Sequence, residues 1–192
     1  LYEIWYGFLP QDPEIGYIRI ISFDMNISDE QLETMMAYLK DSKGLIIDVR
    51  GNLGGFMELM ARIAGYFTPS EVKVGTNYIK NGPGKDDFSA SEMKIQPSGS
   101  AYTYTKPVAV LHDRITFSAG SQFCLSMAAM PNVTRIGQKY GGGTGEIVDG
   151  FLANGWKWTI STSNFVDLQG RATDPGIEAD IPMVINPADT AT

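Results

Sequence analysis

Residues Val108–Met130, VAVLHDRITFSAGSQFCLSMAAM, decide the fold, because an apolar strand leads here through a turn into an apolar helix. Val108–Leu111 has the continuous apolar character of a strand that is covered on both faces. The following helix is apolar on most sides and ends near Pro131, which predicts that it lies in the protein interior. Ser118 stands at the turn between the two elements.

Ser118 has two interpretations. Serine is a preferred N-cap residue, so its hydroxyl could satisfy a free amide at the start of the helix. A serine at this place also meets two needs of nucleophilic catalysis, because the turn exposes its hydroxyl and free N–H groups point towards a developing oxyanion. The local pattern favours the cap, and the rest of the chain has to decide between the two.

The composition restricts the classes of function. At 192 residues the chain is long enough for one domain with a sizeable core. A net charge of −7 argues against a nucleic-acid backbone or an anionic membrane surface as a partner. The single cysteine, Cys124, excludes an internal disulfide and a cysteine-rich metal site, and its apolar neighbours predict a core position. No apolar run approaches the roughly 20 residues that cross a bilayer, so no transmembrane segment is predicted.

The N-terminal part predicts strands and one clearly signalled helix. Leu1–Phe8 and Gly16–Phe23 are rich in aromatic and β-branched residues, as strands are. Ser28 and Gln31 have the spacing of a capping box, and apolar residues recur after them at helical spacing. Leu45–Val49 is an apolar run with one acid, typical of a strand covered on both faces. A helix followed by such a strand predicts a parallel crossover unit.

A first glycine-rich loop, Arg50–Gly55 with the sequence RGNLGG, joins that strand to a second predicted helix, Phe56–Phe67. Glycines at such a junction let the backbone approach a ligand closely and leave N–H groups free for an anion or oxyanion. A plain tight turn explains the same residues equally well. The loop has neither the Gly-Lys-Ser/Thr ending of a phosphate loop nor the full Gly-x-Gly-x-x-Gly pattern, and no cofactor is predicted.

The polar region 68–105 is predicted to be a flap or insertion over the site, with short strands at Val72–Ile79 and Ala101–Thr105. Further along the chain, Thr134–Gly137 predicts a short strand. This strand opens onto a second glycine-rich loop, Gln138–Gly145 with the sequence QKYGGGTG.

The C-terminal part predicts a hairpin and a closing segment. Gly150–Ser163 alternates apolar and polar residues around Asn154-Gly155, a dipeptide that favours a hairpin turn. Asp167–Gly176 is predicted to be a loop. Ile177–Ile185 is predicted to close the domain before a frayed polar tail.

Four segments in one order resemble the core domain of the C-terminal-processing peptidases, the family that includes the tail-specific proteases and the tricorn protease core. The segments are GLIIDVRGNLGG, VAVLHDRITFSAGS, TRIGQKYGGGTG and DPGIEADIPMVI. The resemblance extends from about Gly16 to Ile185, nearly the whole chain. The TFSAG and ANGW sequences are similar to those of secreted or lipoprotein members from gut and environmental bacteria, which implies an extracytoplasmic location.

The resemblance implies a serine endopeptidase core with an α/β fold of the ClpP/crotonase type, in which helices pack on a mixed β-sheet. Ser118 would be the nucleophile. The amide of Ala119 and that of Gly54 or Gly55 would form the oxyanion hole. Without the resemblance, the residues indicate the same two features, a serine at a helix start and a second loop with free N–H groups.

The general base is where the sequence departs from the family. The tail-specific branch uses a lysine, but Gly143 stands at the matching position, and Lys139 is a candidate only if the loop bends differently. The tricorn branch uses a histidine paired with a serine upstream, ahead of a PDZ-like peptide-binding module, and this chain would begin after that point. The tricorn glutamate matches Thr173, which leaves Asp174 beside it as a candidate orienting acid.

His112, the only histidine, lies six residues before Ser118 and is a third candidate because its ordinary pKa is near neutral. The family does not use this position, however, and a strand-end histidine often caps a turn or faces solvent. Asp48 and Arg50 are predicted to be a structural pair that fixes the first glycine-rich loop, and Asp180 is predicted to be a structural acid.

These features predict an enzyme that cleaves a peptide or protein substrate through an acyl-enzyme on Ser118. The base is unresolved and could lie outside this chain. An extended substrate would bind to a strand edge near the site. The alternative is a catalytically incomplete module that binds peptide or another ligand, because Gly143 and Thr173 replace the residues that the two branches use. The sequence does not predict an oligomeric state.

Overall fold

A computed structural model describes residues 4–24 and 26–184 of the chain. Its elements, in chain order, are β1 (Ile4–Leu9), β2 (Asp12–Ile20), α1 (Asp29–Leu39), β3 (Gly44–Asp48), α2 (Met57–Ala64), a 3₁₀ turn (Gly65–Phe67), β4 (Val72–Lys80), β5 (Phe88–Ile95), β6 (Val108–His112), α3 (Ala119–Ala128), β7 (Val133–Gly137), β8 (Ile147–Phe151), β9 (Lys157–Ser161), β10 (Ser163–Asp167) and β11 (Ile181–Pro182). The predicted structure at residues 1–3, at Ile185 and in the polar tail lies outside the described residues.

The centre of the fold is a six-stranded sheet in the order β1-β2-β3-β6-β7-β11. β1 pairs antiparallel with β2, and every other neighbouring pair is parallel. α1 connects β2 to β3, and α3 connects β6 to β7, as the crossover pattern predicts. This mixed sheet with packed helices confirms the predicted α/β class. Of the predicted closing segment, only Ile181–Pro182 forms a strand, and it pairs with β7.

α1 begins at the capping box that the sequence predicts. The Ser28 hydroxyl accepts a hydrogen bond from the Gln31 amide at 3.2 Å, and the Gln31 side chain accepts one from the Ser28 amide at 2.9 Å. The buried face of the helix carries apolar residues at helical spacing, namely Leu32, Met35, Met36 and Leu39. Local capping and one apolar face therefore determine where this helix starts and which side of it packs on the sheet.

α3 is the interior helix that the sequence predicts. Its residues from Ala119 to Met127 are all buried, and the Phe123 ring packs against Phe23 with ring centroids 5.6 Å apart. Cys124 lies in this core as predicted, where burial raises the pKa of its thiol to about 12. None of the helices within residues 4–24 and 26–184 has the length and apolar character that crossing a membrane requires.

Two smaller sheets lie outside the central one. β4 pairs with both β5 and β10 in the order β10-β4-β5; the second edge of β10 pairs with the segment at Ala172, whereas that of β5 is free in this sheet. β8 and β9 form a separate hairpin that turns at Asn154-Gly155 as predicted. The predicted strand at Ala101–Thr105 is wrong, because these residues form a turn and an irregular segment, and β5 was not predicted. The hairpin also ends earlier than expected, since Ser163 already belongs to β10.

Candidate active site

Ser118 has a backbone conformation that side chains rarely adopt. Its φ of 54° and ψ of −123° make it the one non-glycine residue with positive φ in the described part of the chain. Such a conformation costs about 1–3 kcal/mol and persists where the surroundings fix it. Here the Ser118 amide donates to the Gly142 carbonyl at 3.0 Å, and the preceding Phe117 amide donates to the Asn52 carbonyl at 2.9 Å. Both glycine-rich loops therefore hold this turn.

The Ser118 hydroxyl does not cap α3. Ser118 occupies the N-cap position, but its side chain makes no capping hydrogen bond, so the capping interpretation that the local sequence favours is wrong. The residue is partly exposed and lines a cleft. A strained serine with an uncommitted hydroxyl at a helix start is the arrangement expected of a nucleophile.

The first glycine-rich loop lies directly against Ser118. Gly54 has a φ of 105°, and a Cβ placed on it would lie 2.7 Å from Ser118 Cβ and 2.9 Å from the Ala119 amide nitrogen. Only glycine permits so close an approach. The loop is held by Asn52, which is buried, donates from Nδ2 to the Ile20 carbonyl at 3.0 Å and accepts the Gly54 amide on Oδ1 at 2.8 Å. The sequence alone does not single out Asn52, although this residue stands inside RGNLGG.

The three predicted oxyanion-hole amides differ in availability. The Gly54 amide is already donated to Asn52, whereas those of Gly55 and Ala119 donate to no group within the described residues. Phe23 fixes the loop on its other side, because its amide donates to the Gly54 carbonyl at 2.7 Å and its carbonyl accepts the Phe56 amide at 3.1 Å. The amides of Gly55 and Ala119 are therefore the two that remain without an acceptor; Ala119 follows Ser118 directly, and Gly55 follows the glycine that packs on Ser118.

The predicted structural pair of Asp48 and Arg50 is confirmed. Asp48 is buried at the end of β3, and its carboxylate accepts hydrogen bonds from Arg50, Arg19 and Tyr17, with Arg50 Nη2 at 2.6 Å. Burial alone would raise the pKa of Asp48, but the bonds from Arg50 and the charge of Arg19 hold it below its ordinary value. This network anchors the start of the first glycine-rich loop.

Asp113, which the sequence does not single out, joins the turn at Ser118 to the same loop. Its Oδ1 accepts the Gly51 amide at 3.0 Å and the Thr116 amide at 3.0 Å. The Thr116 hydroxyl then donates to the Val49 carbonyl at 2.9 Å. A carboxylate that collects amides from two separate segments fixes their relative position, which explains how the loop and the turn stay together.

The second glycine-rich loop packs against the other side of the turn. Gly141 donates its amide to the Thr116 carbonyl at 2.8 Å, next to the bond from Ser118 to Gly142. Gly143 has a φ of 67°, and a Cβ placed there would lie 2.2 Å from the Phe117 ring. A lysine at position 143 would therefore clash with Phe117 in this conformation.

The structure places none of the three candidate residues, His112, Lys139 and Asp174, in the lining of the cleft that holds Ser118. His112 is fully buried, so the expectation that it caps a turn or faces solvent is wrong. Burial and the nearby positive charge of Arg135 lower the pKa of His112 to about 4. Lys139 is exposed and lies beside Gly176. Asp174 accepts hydrogen bonds from the Thr144 amide at 3.1 Å and hydroxyl at 3.3 Å. None of the three lines the cleft that holds Ser118.

Thr173 and Asp180, two further positions considered in the sequence, form hydrogen bonds with neighbouring segments. Thr173 is buried, donates its hydroxyl to the Phe165 carbonyl at 3.0 Å and shares a hydrogen bond with the Thr144 hydroxyl. Asp180 accepts the Arg135 amide at 2.9 Å and its guanidinium at 2.6 Å, which confirms its predicted structural role. Both residues hold segments on the C-terminal side of the site.

The cleft beside Ser118 has a volume of about 530 Å³. It lies between α2, α3, the three-stranded sheet and the start of β8. Its lining residues are Met57, Glu58, Met60, Ala61, Asn77, Ile79, Ser91, Glu92, Met93, Ser118, Ala119, Gln122, Gly143, Thr144, Gly145, Glu146, Ile147 and Phe165. One wall is β5, whose second edge is free in its sheet.

A mixed α/β fold with a strained serine at a helix start, next to a glycine loop with free amides, defines the class of serine hydrolases. The chain belongs to peptidase family S41, whose family model matches residues 14–183. The predicted resemblance to the C-terminal-processing peptidases is thereby confirmed, and the domain is a peptidase core of this serine-protease family.

Known proteins similar to this chain carry peptidase names. The carboxy-terminal processing protease CtpA of Bacillus subtilis (strain 168) is 28% identical over 183 residues, which are 90% of this chain and 36% of CtpA. CtpB of the same organism is 26% identical over 83% of this chain and 33% of its own length. The chain thus spans about a third of the length of these curated relatives.

Solved structures share the fold. A putative peptidase from Parabacteroides merdae ATCC 43184 superposes with a TM-score of 0.88 at 34% identity, over 98% of this chain and 59% of that one. The photosystem II D1 C-terminal processing protease superposes with a TM-score of 0.67 at 16% identity, over 95% of this chain and 48% of that one. At 16% identity, the similarity to the D1 processing protease establishes only a shared fold.

Proposed function

We propose that this domain supplies the nucleophile and the oxyanion hole of a serine endopeptidase. The observation that carries the proposal is the conformation of Ser118, which is strained, makes no capping bond and is followed directly by the free Ala119 amide. Strained residues concentrate at functional sites, and a serine that only capped a helix would not need this conformation.

In the proposed reaction, Ser118 Oγ attacks the carbonyl carbon of the scissile peptide bond and gives up its proton to a general base. The amides of Gly55 and Ala119 donate hydrogen bonds to the oxyanion of the tetrahedral intermediate. The C–N bond then breaks, the amine leaves with the proton, and the acyl group remains as an ester on Ser118. Water hydrolyses that ester and restores the free serine.

We assign no general base among the described residues. His112 is buried and His112, Lys139 and Asp174 all lie outside the cleft lining. The clash of a side chain at Gly143 with Phe117 also argues against the lysine position of the tail-specific branch in this conformation. A turnover assay on the 192-residue chain tests whether these residues suffice for catalysis.

The proposed substrate is a peptide or protein that binds in extended form. β5 supports this mode, because it pairs with β4 on one edge only and three of its residues, Ser91, Glu92 and Met93, line the cleft with Ser118. An extended chain can add to such a free edge through main-chain hydrogen bonds. The substrate backbone would then run past the nucleophile.

The test is covalent labelling with a fluorophosphonate probe. We expect an adduct on Ser118 in the full-length protein, loss of labelling in Ser118→Ala, and normal labelling in the control Ser98→Ala, which removes an exposed serine outside the cleft. A full-length protein that stays unlabelled and cleaves no peptide overturns the proposal. Peptide binding without turnover in that case would identify a binding module.

We also propose an extracytoplasmic location, as the TFSAG and ANGW sequences suggest. Its support includes a lipoprotein from Streptococcus agalactiae, which superposes with a TM-score of 0.68 at 20% identity. Fractionation of the native cells checks this location. Recovery of the full-length protein in the cytoplasmic fraction alone would contradict it.

A further inference from the structure

The charged residues that line the cleft beside Ser118 are all acidic. Glu58, Glu92 and Glu146 contribute carboxylates, and no lysine, arginine or histidine is among the lining residues. The cleft is therefore electronegative where a substrate would lie. A group of exposed acids is common on protein surfaces, so the partners of each carboxylate decide whether this charge is available to a ligand.

Two of the three carboxylates lack a cationic partner. Glu92 is engaged by Lys73 at 2.5 Å and, more distantly, by Lys94 at 3.8 Å. Glu58 forms no ion pair or side-chain hydrogen bond within the described residues, and Glu146 accepts only the Asn77 amide nitrogen at 3.0 Å. Two negative charges thus remain uncompensated at the cleft wall.

Two amide side chains of the same cleft, those of Gln122 and Asn77, each use their nitrogen in a hydrogen bond to another lining residue. Gln122 lies one helical turn after Ser118, is only 4% exposed and donates from Nε2 to the Thr144 carbonyl at 3.1 Å. That bond fixes which end of the amide is nitrogen, because a carbonyl can only accept. The other end, Oε1, is buried and has no partner within the described residues.

Asn77 repeats this pattern on the opposite wall. Its Nδ2 donates to Glu146, and its buried Oδ1 has no partner among the described residues. Neither oxygen has accessible surface, so a ligand in the cleft does not reach them in this conformation. The exposed carboxylates of Glu58 and Glu146 are therefore the acceptors that a ligand meets, and they favour a ligand group that donates hydrogen bonds.

The remaining walls are apolar. They consist of Met57, Met60, Ile79, Met93 and Phe165. A lysine or arginine side chain combines a long apolar stem with a charged end that carries only donors. The apolar walls are complementary to the stem, and the uncompensated carboxylates of Glu58 and Glu146 are complementary to the charged donor end.

We infer that this cleft binds a lysine or arginine side chain of the substrate, at a residue adjacent to the bond that Ser118 attacks. The inference rests on the proposed peptidase function. A carboxylate in the same place, whether an acidic side chain or a free C-terminus, would face Glu58 and Glu146 and is disfavoured.

The first experiment compares matched peptides with the full-length protein. They differ at one residue, placed on either side of the scissile bond, which is lysine, arginine, norleucine or glutamate. Norleucine keeps the apolar stem and removes the charge. We expect kcat/KM for a basic residue to exceed that for norleucine by about tenfold, and glutamate to be the poorest. Raising the salt from about 0.05 M to about 0.5 M should shrink this ratio because ions screen exposed charges.

Charge variants identify the carboxylates responsible. Glu58→Gln and Glu146→Gln should each lower the ratio of lysine to norleucine by about threefold, as expected for partly exposed charges. Glu30→Gln is the matched control, since it removes an exposed carboxylate on α1 outside the cleft lining and should leave the ratio unchanged. Equal ratios in all three variants would overturn the inference.

A binding measurement separates this inference from the proposed reaction. Calorimetry with the full-length Ser118→Ala protein should show tighter binding of the lysine peptide than of the norleucine peptide, and Glu146→Gln should reduce the difference. This readout needs no turnover. Labelled Ser118 with equal cleavage and equal binding of both peptides would overturn the basic preference alone. Unlabelled Ser118 with a retained preference for lysine in binding would overturn the reaction alone.

Discussion

The two glycine-rich loops beside Ser118 look alike in sequence and differ in what their glycines contact. In the first loop, the missing Cβ of Gly54 makes room for Ser118 and for the Ala119 amide. In the second loop, the missing Cβ of Gly143 makes room for the Phe117 ring, and that of Gly142 makes room for the Asp174 carbonyl. The first loop therefore packs directly on Ser118 and the Ala119 amide, whereas the glycines of the second pack on Phe117 and Asp174 while that loop also lines the cleft.

The hydrogen bonds of the two glycine-rich loops also differ. The first loop leaves the Gly55 amide without an acceptor, whereas the second loop uses the Gly142 carbonyl to hold the Ser118 amide. Glycine density alone does not distinguish a loop that binds an oxyanion from one that fixes a turn. The contacts made by each absent side chain do distinguish them, and they predict different consequences for mutations in the two loops.

The largest effect is expected from Gly54→Ala in the first loop. Its Cβ would lie 2.7 Å from Ser118 Cβ, so the serine and the neighbouring amides must shift. We expect the rate of fluorophosphonate labelling to fall by about 100-fold or more, as when an oxyanion donor is lost. Gly51→Ala is the control, because Gly51 also has a positive φ but open space around it. Equal losses in both variants would show that backbone strain, and not contact with Ser118, is responsible.

A smaller effect, on stability, is expected from Gly143→Ala in the second loop. The new Cβ would overlap the exposed Phe117 ring, and alanine is also strained at the φ of 67°, which together should cost about 1–3 kcal/mol in the free energy of unfolding. Urea denaturation measures the loss. Repeating the substitution in a Phe117→Ala background should remove the part caused by the overlap, and an undiminished loss would assign the whole cost to the backbone conformation.

Lowering the pH should reduce the stability of the protein through His112, which packs against the second glycine-rich loop. His112 packs edge-to-face against Tyr140 of that loop, with ring centroids 5.2 Å apart, and its pKa is lowered to about 4 by burial and by Arg135. The unfolded chain, with an ordinary histidine pKa, therefore binds the proton first. Stability is complete above about pH 6.5 and falls progressively towards pH 4, by about 1 kcal/mol at pH 6. His112→Leu should flatten this slope in denaturation experiments, and an unchanged slope would rule out His112 as its source.

The smallest effect is expected from removing the Ser118 hydroxyl. Because this hydroxyl caps nothing, Ser118→Ala should change the free energy of unfolding by less than about 0.5 kcal/mol. Ser28→Ala is the matched comparison, since Ser28 does cap α1 and its loss should cost about 1 kcal/mol. Equal costs in thermal denaturation would mean that Ser118 serves as a cap after all.

Local patterns predicted a large part of this fold. The capping box at Ser28 and Gln31 lies within one helical turn, and the apolar strands before the glycine-rich loops have a composition that strands share widely. The position of Ser118 at a helix start was predictable for the same reason. Its backbone conformation was not, because bonds from Asn52 and Gly142, which are distant in sequence, impose it.

The rest of the site depends on contacts between distant segments. The sequence does not reveal that Asn52 consumes the Gly54 amide, that Asp113 joins two segments, or that Phe117 fills the space at Gly143. The burial of His112 was also missed, since a strand end is exposed in some folds and covered in others. Each of these facts concerns which residue occupies a particular space, and composition and spacing do not determine that.

Cys124 has a practical consequence for following the substrate. It is the sole cysteine of the chain, it is fully buried, and its thiol pKa of about 12 keeps it protonated at neutral pH. A thiolate is the form that alkylating reagents attack, so the native protein should resist them. A cysteine introduced on the free edge of β5 would then be the only reactive thiol in these 192 residues. A fluorophore attached there would report the arrival of a peptide at the cleft without any change to the core.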